Sequence, residues 1–175
     1  MKRLFVLVLC AALLVCASVS VYAETEAYTA RPSVNGQLHV EASQLTDAHG
    51  QAVQLRGIST HGLTWYPEFI NENLFRQLAS DWNCNMIRLA MYSSEYCRKE
   101  EREKNLALMR QGIEAASAAD MYVLVDWHIL SDCDPNEHKE SAKEFFSLIA
   151  AEYADCPNLI FEICNEPNGE TTWSN

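Results

Sequence analysis

Short apolar runs alternate with amphipathic stretches from residue 54 onward, and this alternation restricts the fold more than any other feature. The apolar runs are rich in β-branched and aromatic residues, and they cover residues 54–59, 85–92, 121–128 and 158–164. The amphipathic stretches carry apolar side chains at helical spacing, and they cover residues 71–81, 101–119 and 138–153. Strands that are apolar along most of their length are typical of parallel sheets covered by helices. The sequence therefore predicts a series of βα units.

Two α/β folds contain such a series: the doubly wound sheet and the (β/α)8 barrel. Gly57 and Gly62 follow the first strand, but they lack the spacing of a dinucleotide-binding loop. Polar residues instead end all four strands, namely Ser59 and His61, Arg88 and Tyr92, Asp126 and His128, and Asn165 and Glu166. Barrel enzymes keep their chemistry at these strand ends. We therefore expect a (β/α)8 TIM barrel, truncated to about its first four βα units and preceded by a hairpin in residues 37–55.

The fourth strand ends abruptly at Asn165, Glu166 and Pro167. Proline has no backbone N–H for a ladder, so strand pairing ends there and the Glu166 carboxylate is placed at the rim of the sheet. The residue before a proline is also expected to be extended. A carboxylic acid on a rigid strand end can transfer a proton to a sugar oxygen. Taken alone, the tripeptide is equally well explained as a turn after a strand.

Together these motifs resemble glycoside hydrolase family 5, the cellulase family of retaining glycosidases built on (β/α)8 barrels. The resemblance covers about residues 51–173, with matching motifs at all four strands. It implies that Glu166 is the general acid/base and that Asn165 contacts the sugar 2-hydroxyl. It also implies that Arg88 orients the nucleophile carboxylate and that His128 lies at the subsite of the sugar to be cleaved. The implied substrate-binding residues are His61, Trp65, Tyr66 and Tyr92.

Each of these residues also has a structural explanation. Arg88 could be an ion-pair partner for Glu162 or Asp126, and His128 could be a core histidine with satisfied hydrogen bonds. Trp65 and Tyr66 could merely cover the mouth of a barrel, although aromatic faces are natural platforms for glucosyl rings. No metal-ligand spacing is present, and the implied chemistry needs neither a metal nor another cofactor.

The implied activity is that of an endo-acting β-1,4-glucanase with a retaining mechanism. Such a mechanism needs a second carboxylate about 5–5.5 Å from the acid/base. In the family this nucleophile belongs to the seventh strand, which this sequence does not reach, so the isolated chain is predicted to be inactive. Two alternatives stay open: a related hydrolase for β-mannan, xyloglucan or mixed-linkage glucan, and a non-catalytic carbohydrate-binding half-barrel.

The N-terminus predicts export. Lys2 and Arg3 precede an apolar run, and Val21 and Ala23 are small residues at the positions that signal peptidase reads. We therefore divide the chain into a signal peptide over residues 1–23, a flexible segment over residues 24–36 and a partial catalytic domain over residues 37–175. Export predicts a secreted protein.

Charge and cysteine content restrict the partners. The formal net charge of −11 argues against binding of nucleic acid or an anionic membrane. It is compatible with a neutral β-glucan polysaccharide as the substrate, and we expect a monomer at full length. Five cysteines follow the signal, so Cys84 with Cys97 or Cys133 with Cys156 could pair while at least one thiol stays free.

Overall fold

The computed structural model describes residues 29–172. The predicted signal peptide lies outside this part of the chain. The described residues form a two-stranded antiparallel sheet followed by a four-stranded parallel sheet. No helix in the described part is long and apolar enough to cross a membrane.

The segment just before the hairpin is attached to the body of the protein over its described residues, 29–36. It contains a short helix, α1 (Pro32–Asn35), with proline in its first turn. The Arg31 guanidinium donates hydrogen bonds of 2.8 and 3.0 Å to the carbonyls of Cys84 and Ala79. Ser33 donates from its amide and hydroxyl to the Asp120 carboxylate. The described end of the segment is therefore held by side-chain contacts that composition does not reveal.

The predicted hairpin is present in reduced form. Strands β1 (His39–Glu41) and β2 (Gln44–Thr46) pair antiparallel. The run that was expected to continue the hairpin over residues 52–55 contributes only an isolated bridge between Thr46 and Ala52.

The parallel sheet has its strands in sequence order, so each crossover joins neighbours. Its strands are β3 (Gly57–Ser59), β4 (Met86–Tyr92), β5 (Tyr122–His128) and β6 (Leu159–Glu162). The connecting helices are α2 (Glu72–Asp81), α4 (Arg102–Ala118) and α5 (Lys139–Glu152), with a further short helix α3 (Ser93–Tyr96) after β4. The predicted βα series is therefore confirmed. The sequence did not predict α3 or the 3-10 turn Pro67–Phe69, because both are too short for a helical repeat.

The two faces of the parallel sheet have different chemistry. One face packs on the helices and forms the core with Leu89, Met91, Val125 and Trp127, all of which are buried. The alternate residues of the strands point to the opposite face, because side chains alternate along a strand. We call this opposite face the inner face, since it corresponds to the interior of a closed barrel. It carries the polar residues that the sequence singled out.

The five cysteines in the described part are all free thiols, so neither possible disulfide is formed. Cys164 packs against the hydrophobic core, as expected for a small apolar side chain. Burial raises the pKa of its thiol to about 11, followed by smaller effects of nearby carboxylates.

Gly57 has no room for a side chain. It pairs with Met86 in the β3–β4 ladder, and a Cβ atom at this position would lie 2.0 Å from the Met86 carbonyl oxygen. Since the obstacle is backbone, we expect Gly57→Ala to reduce the free energy of unfolding by about 3 kcal/mol. Urea unfolding checks this value, with Ser59→Ala on the same strand as the matched control. An unchanged unfolding midpoint for Gly57→Ala would contradict the close approach.

Candidate active site

Arg88 joins three strands on the inner face. Its Nε and Nη2 atoms donate to the two Glu162 carboxylate oxygens at 2.7 and 2.8 Å. Nη2 also lies 2.9 Å from Asp126 Oδ2 and 3.0 Å from Asn165 Oδ1. The hydrogen bond with Glu162 is the main cause that raises the pKa of the guanidinium, so Arg88 is a permanent cation here. The ion pairs that the sequence left as an alternative are both formed, and the same guanidinium contacts the predicted catalytic amide.

Asp126 and His128 form a second part of this cluster. Asp126 is fully buried, and its Oδ2 atom lies 2.7 Å from His128 Nδ1. With a proton on Nδ1, the imidazole donates to Asp126 and its Nε2 atom is an acceptor. His128 is therefore oriented by a carboxylate and is not an isolated core histidine. Burial raises the pKa of Asp126 to about 6, against the lowering effects of His128 and Arg88.

This raised pKa predicts how stability depends on pH. Between pH 4 and 6 the folded protein keeps the Asp126 proton while the unfolded chain loses it. The contribution of Asp126 to the free energy of unfolding should therefore fall as pH rises through this range, by on the order of 2 kcal/mol. Asp126→Asn should remove this pH dependence of the free energy of unfolding. The control Asp155→Asn, at an exposed position, should retain it. Urea unfolding from pH 4 to 7 measures the difference, and parallel curves for the parent and Asp126→Asn would refute it.

Asn165 is fixed at the end of the fourth strand. It is buried, its side-chain amide donates to the Ile129 carbonyl at 3.0 Å, and its backbone amide donates to the Trp127 carbonyl at 3.1 Å. Its side-chain oxygen accepts from Arg88, as described above. The orientation of this amide is therefore set from three directions.

Glu166 follows Asn165 and is exposed. Its φ of 37° is in the left-handed region, so the extended conformation expected before proline is wrong. The physical reason is the turn that follows, in which the Asn168 side chain donates to the Glu166 carbonyl at 2.9 Å. Glu166 is among the carboxylates that raise the pKa of Arg88 and Tyr92, so it belongs to the electrostatic environment of the cluster.

Four rings form a continuous row beside these polar groups. Ring centroids are 4.3 Å apart for His61 and Trp65, 5.5 Å for Trp65 and Tyr92, and 4.3 Å for Tyr92 and His128. We call these four residues the aromatic row. Tyr66 does not join it, because its ring packs near Phe69 at 6.3 Å. The structure thus brings together three of the four predicted substrate-binding residues, along with His128.

Sequence reasoning missed a polar cleft next to the row. This cleft has a volume of about 560 Å3 and is lined by Trp65, Tyr92, Glu95, Asp132 and His138, among others. The Ser93 hydroxyl donates to Asp132 at 2.6 Å and joins α3 to the loop after β5. Glu95 lies on α3, a single turn without a recognisable motif, so no pattern pointed to it. No group of three or more His, Cys, Asp or Glu side chains in residues 29–172 is arranged to hold a metal ion.

Parallel strands joined by helices, with acid, amide and imidazole groups at their carboxyl ends, are characteristic of barrel-type βα proteins. The family model described as cellulase (glycosyl hydrolase family 5) matches residues 46–175. The chain belongs to this family.

Individual relatives agree with the family match. The chain is 49% identical over 144 residues to endoglucanase A of Butyrivibrio fibrisolvens, covering 79% of this chain and 34% of that protein. It is 45% identical over 152 residues to an endoglucanase of Clostridium saccharobutylicum, covering 86% of this chain and 34% of that protein. The chain therefore spans about a third of the length of these curated relatives.

Solved structures show the same fold relationship. The catalytic domain of Thermobifida fusca endoglucanase Cel5A superposes with a TM-score of 0.76 at 40% identity, covering 83% of this chain and 48% of that domain. A variant of that domain has been solved in complex with cellotetraose. The four parallel strands described here and the helices that join them thus correspond to part of a cellulase catalytic domain.

Proposed function

We propose that this chain supplies the acid/base half of the active site of a secreted, retaining endo-β-1,4-glucanase that acts on cellulose-type polysaccharide. The observation that carries the proposal is the cluster of Arg88, Asp126, Glu162 and Asn165, which connects three strands on the inner face. The cluster lies next to the aromatic row, and Glu166 directly follows Asn165 in the chain. The endoglucanase relatives and the cellotetraose complex of the Thermobifida protein support a β-1,4-glucan as the substrate class.

In the proposed mechanism, Glu166 protonates the glycosidic oxygen as the leaving group departs. Its carboxylate then removes a proton from the incoming water. Asn165 donates one amide hydrogen to Ile129 and keeps a second for a sugar hydroxyl. His128, whose Nδ1–H donates to Asp126, accepts through Nε2 from a hydroxyl of the sugar that is cleaved. Among residues 29–172, Arg88 is the cation of this cluster and orients the nucleophile.

The nucleophile is proposed to come from another strand of the complete barrel. A retaining pair has its carboxyl groups about 5–5.5 Å apart. Glu162 and Asp126 are the nearest alternatives on the inner face, but each is held by Arg88 at 2.7–2.9 Å. Both carboxylates are therefore already committed to ion pairs within the cluster. The seventh strand, as in the family resemblance, is the proposed source, and the 175-residue chain alone is therefore proposed to be inactive.

The proposal includes export through residues 1–23 and a monomeric, secreted enzyme at full length that needs no cofactor. Its partner is the β-glucan, with no role for nucleic acid or a membrane after signal removal. The catalytic domain is proposed to begin before residue 37, because Arg31 and Ser33 already contact the body of the protein.

A substrate series on the full-length protein tests the proposal. Initial rates should be highest on a soluble cellulose derivative and lower on β-mannan, xyloglucan and mixed-linkage glucan. Proton NMR of the first products should show the β-anomer, which is the signature of retention. A preference for one of the other polymers would change the substrate assignment, and α-anomer as the first product would overturn the retaining mechanism.

A second candidate is a carbohydrate-binding half-barrel without catalysis. It is favoured by the aromatic row, because all four rings belong to this chain and need no further strand of a barrel. It predicts cellulose binding by the isolated chain that is weakened by Trp65→Ala and unchanged by Glu166→Gln. A pull-down with insoluble cellulose tests this candidate. If the parent chain does not bind to the cellulose, the candidate is excluded.

A further inference from the structure

Glu95 is a buried carboxylate that the proposed proton transfer does not use. Only 7% of the residue is exposed. Its Oε1 atom accepts hydrogen bonds from Thr64 Oγ1 at 2.6 Å and from the Trp65 indole Nε1 at 3.2 Å. The Oε2 atom has no hydrogen-bond partner within residues 29–172. A carboxylate is costly to bury, so its retention beneath the aromatic row calls for an explanation.

The backbone that carries Glu95 is anchored. The Asn105 side chain on α4 donates to the Glu95 carbonyl at 3.2 Å, and both residues are buried. The carboxylate also acts on a second ring of the row: burial first, and then Glu95, raises the pKa of Tyr92. Glu95 is therefore a fixed acceptor for one ring of the aromatic row, Trp65.

The orientation of the Trp65 indole depends on its hydrogen bond to Glu95. About half of the residue is exposed, so core packing alone does not select its conformation. One side of the indole lies against the backbone of Gly62, where a Cβ atom would come within 2.5 Å of the ring. The hydrogen bond to Glu95 fixes the edge of the indole, since an N–H donor and a rigid acceptor define its rotation. Without this bond, Trp65 would retain its ring contacts but lose its anchor.

We propose that Glu95 is a positioning residue that holds the Trp65 indole in the orientation for stacking against a glucosyl ring. This role rests on the proposed function, since it assumes that the aromatic row binds a β-glucan. Pre-ordering of an aromatic platform improves affinity, because the ring does not have to be immobilised when the sugar binds. Glu95 would thus influence how tightly the substrate is held, while Glu166 would control proton transfer.

Nuclear magnetic resonance tests the anchor without any ligand. In ¹⁵N-labelled full-length protein, the Trp65 indole N–H signal is assigned by its absence in Trp65→Phe. We expect Glu95→Ala to shift this signal and to speed its hydrogen exchange by at least about tenfold, as for loss of a hydrogen bond to a charged group. Glu95→Gln keeps an acceptor oxygen and should leave exchange within about twofold of the parent. Unchanged exchange in Glu95→Ala would overturn the proposal.

A double-mutant cycle on cellotetraose affinity tests the consequence. Glu95→Ala should raise Kd about fivefold when Trp65 is present, but less than twofold in the Trp65→Phe background, which has no indole donor. Equal effects in both backgrounds would show that Glu95 acts on binding by another route and would refute the proposed role. Absence of cellotetraose binding by the parent would instead count against the proposed function, and the indole exchange would still decide whether Glu95 holds Trp65.

Discussion

Glu166→Gln in the full-length protein is expected to lower kcat on a soluble cellulose derivative by about a thousandfold, within the usual range for loss of a general acid/base. Gln is close in shape to Glu, but its amide has no acidic proton to transfer to the leaving oxygen. Because Glu166 is exposed and sits beyond the last ladder pair, the substitution should leave the unfolding midpoint unchanged. Steady-state kinetics together with thermal unfolding measure both effects.

The leaving group provides an internal control for this role. An aryl cellobioside with a good leaving group departs without protonation, so Glu166→Gln should slow the first step far less on this substrate than on the polymer. Glu170→Gln, an exposed carboxylate on the same loop, should behave as the parent on both. If Glu166→Gln lowers both rates equally, its carboxylate does not act as the general acid.

Arg88→Met is expected to have the largest effect on stability among substitutions in the candidate active site. Methionine retains the apolar stem, but it leaves the buried Asp126 and the half-buried Glu162 without their cation. Loss of one partner from such a pair typically lowers the free energy of unfolding by about 3 kcal/mol. Urea unfolding measures this loss.

Two comparisons separate the ion-pair effect from a general effect of charge removal. Arg76→Met removes an exposed partner of Glu72, and this pair should contribute less than about 1 kcal/mol. Adding Glu162→Gln to Arg88→Met should restore part of the stability, because it removes an unpaired charge. A loss in Arg88→Met no larger than that in Arg76→Met would contradict the assigned role of the cluster.

The sequence was sufficient to predict the βα order and most strand positions. The reason is physical: buried parallel strands must be apolar, and the helices that cover them must carry one apolar face. Strand β4 was expected over residues 85–92 and is Met86–Tyr92, and α5 was expected over residues 138–153 and is Lys139–Glu152. These elements follow from local patterns of hydrophobicity, which a sequence contains in full.

The contacts within the site could be predicted only in part. Placement at strand ends follows from topology, and it brought Arg88, His128 and Asn165 together as expected. The backbone conformation of Glu166 and the position of the Tyr66 ring depend on turn geometry. The sequence motifs around these residues do not determine that geometry. Glu95 was missed because its role comes from a contact across 30 residues with Trp65, and no spacing rule reports such a contact.

The most direct test of the central claim is hydrolysis of a soluble cellulose derivative by the 175-residue chain, measured beside its Glu166→Gln variant. The claim is that this chain supplies the acid/base and the substrate-binding rings, while the nucleophile comes from another part of a complete barrel. We predict no turnover above that of the variant. Turnover by the parent chain that is lost in Glu166→Gln would contradict the claim, because the second carboxylate would then come from this chain or from a second copy of it.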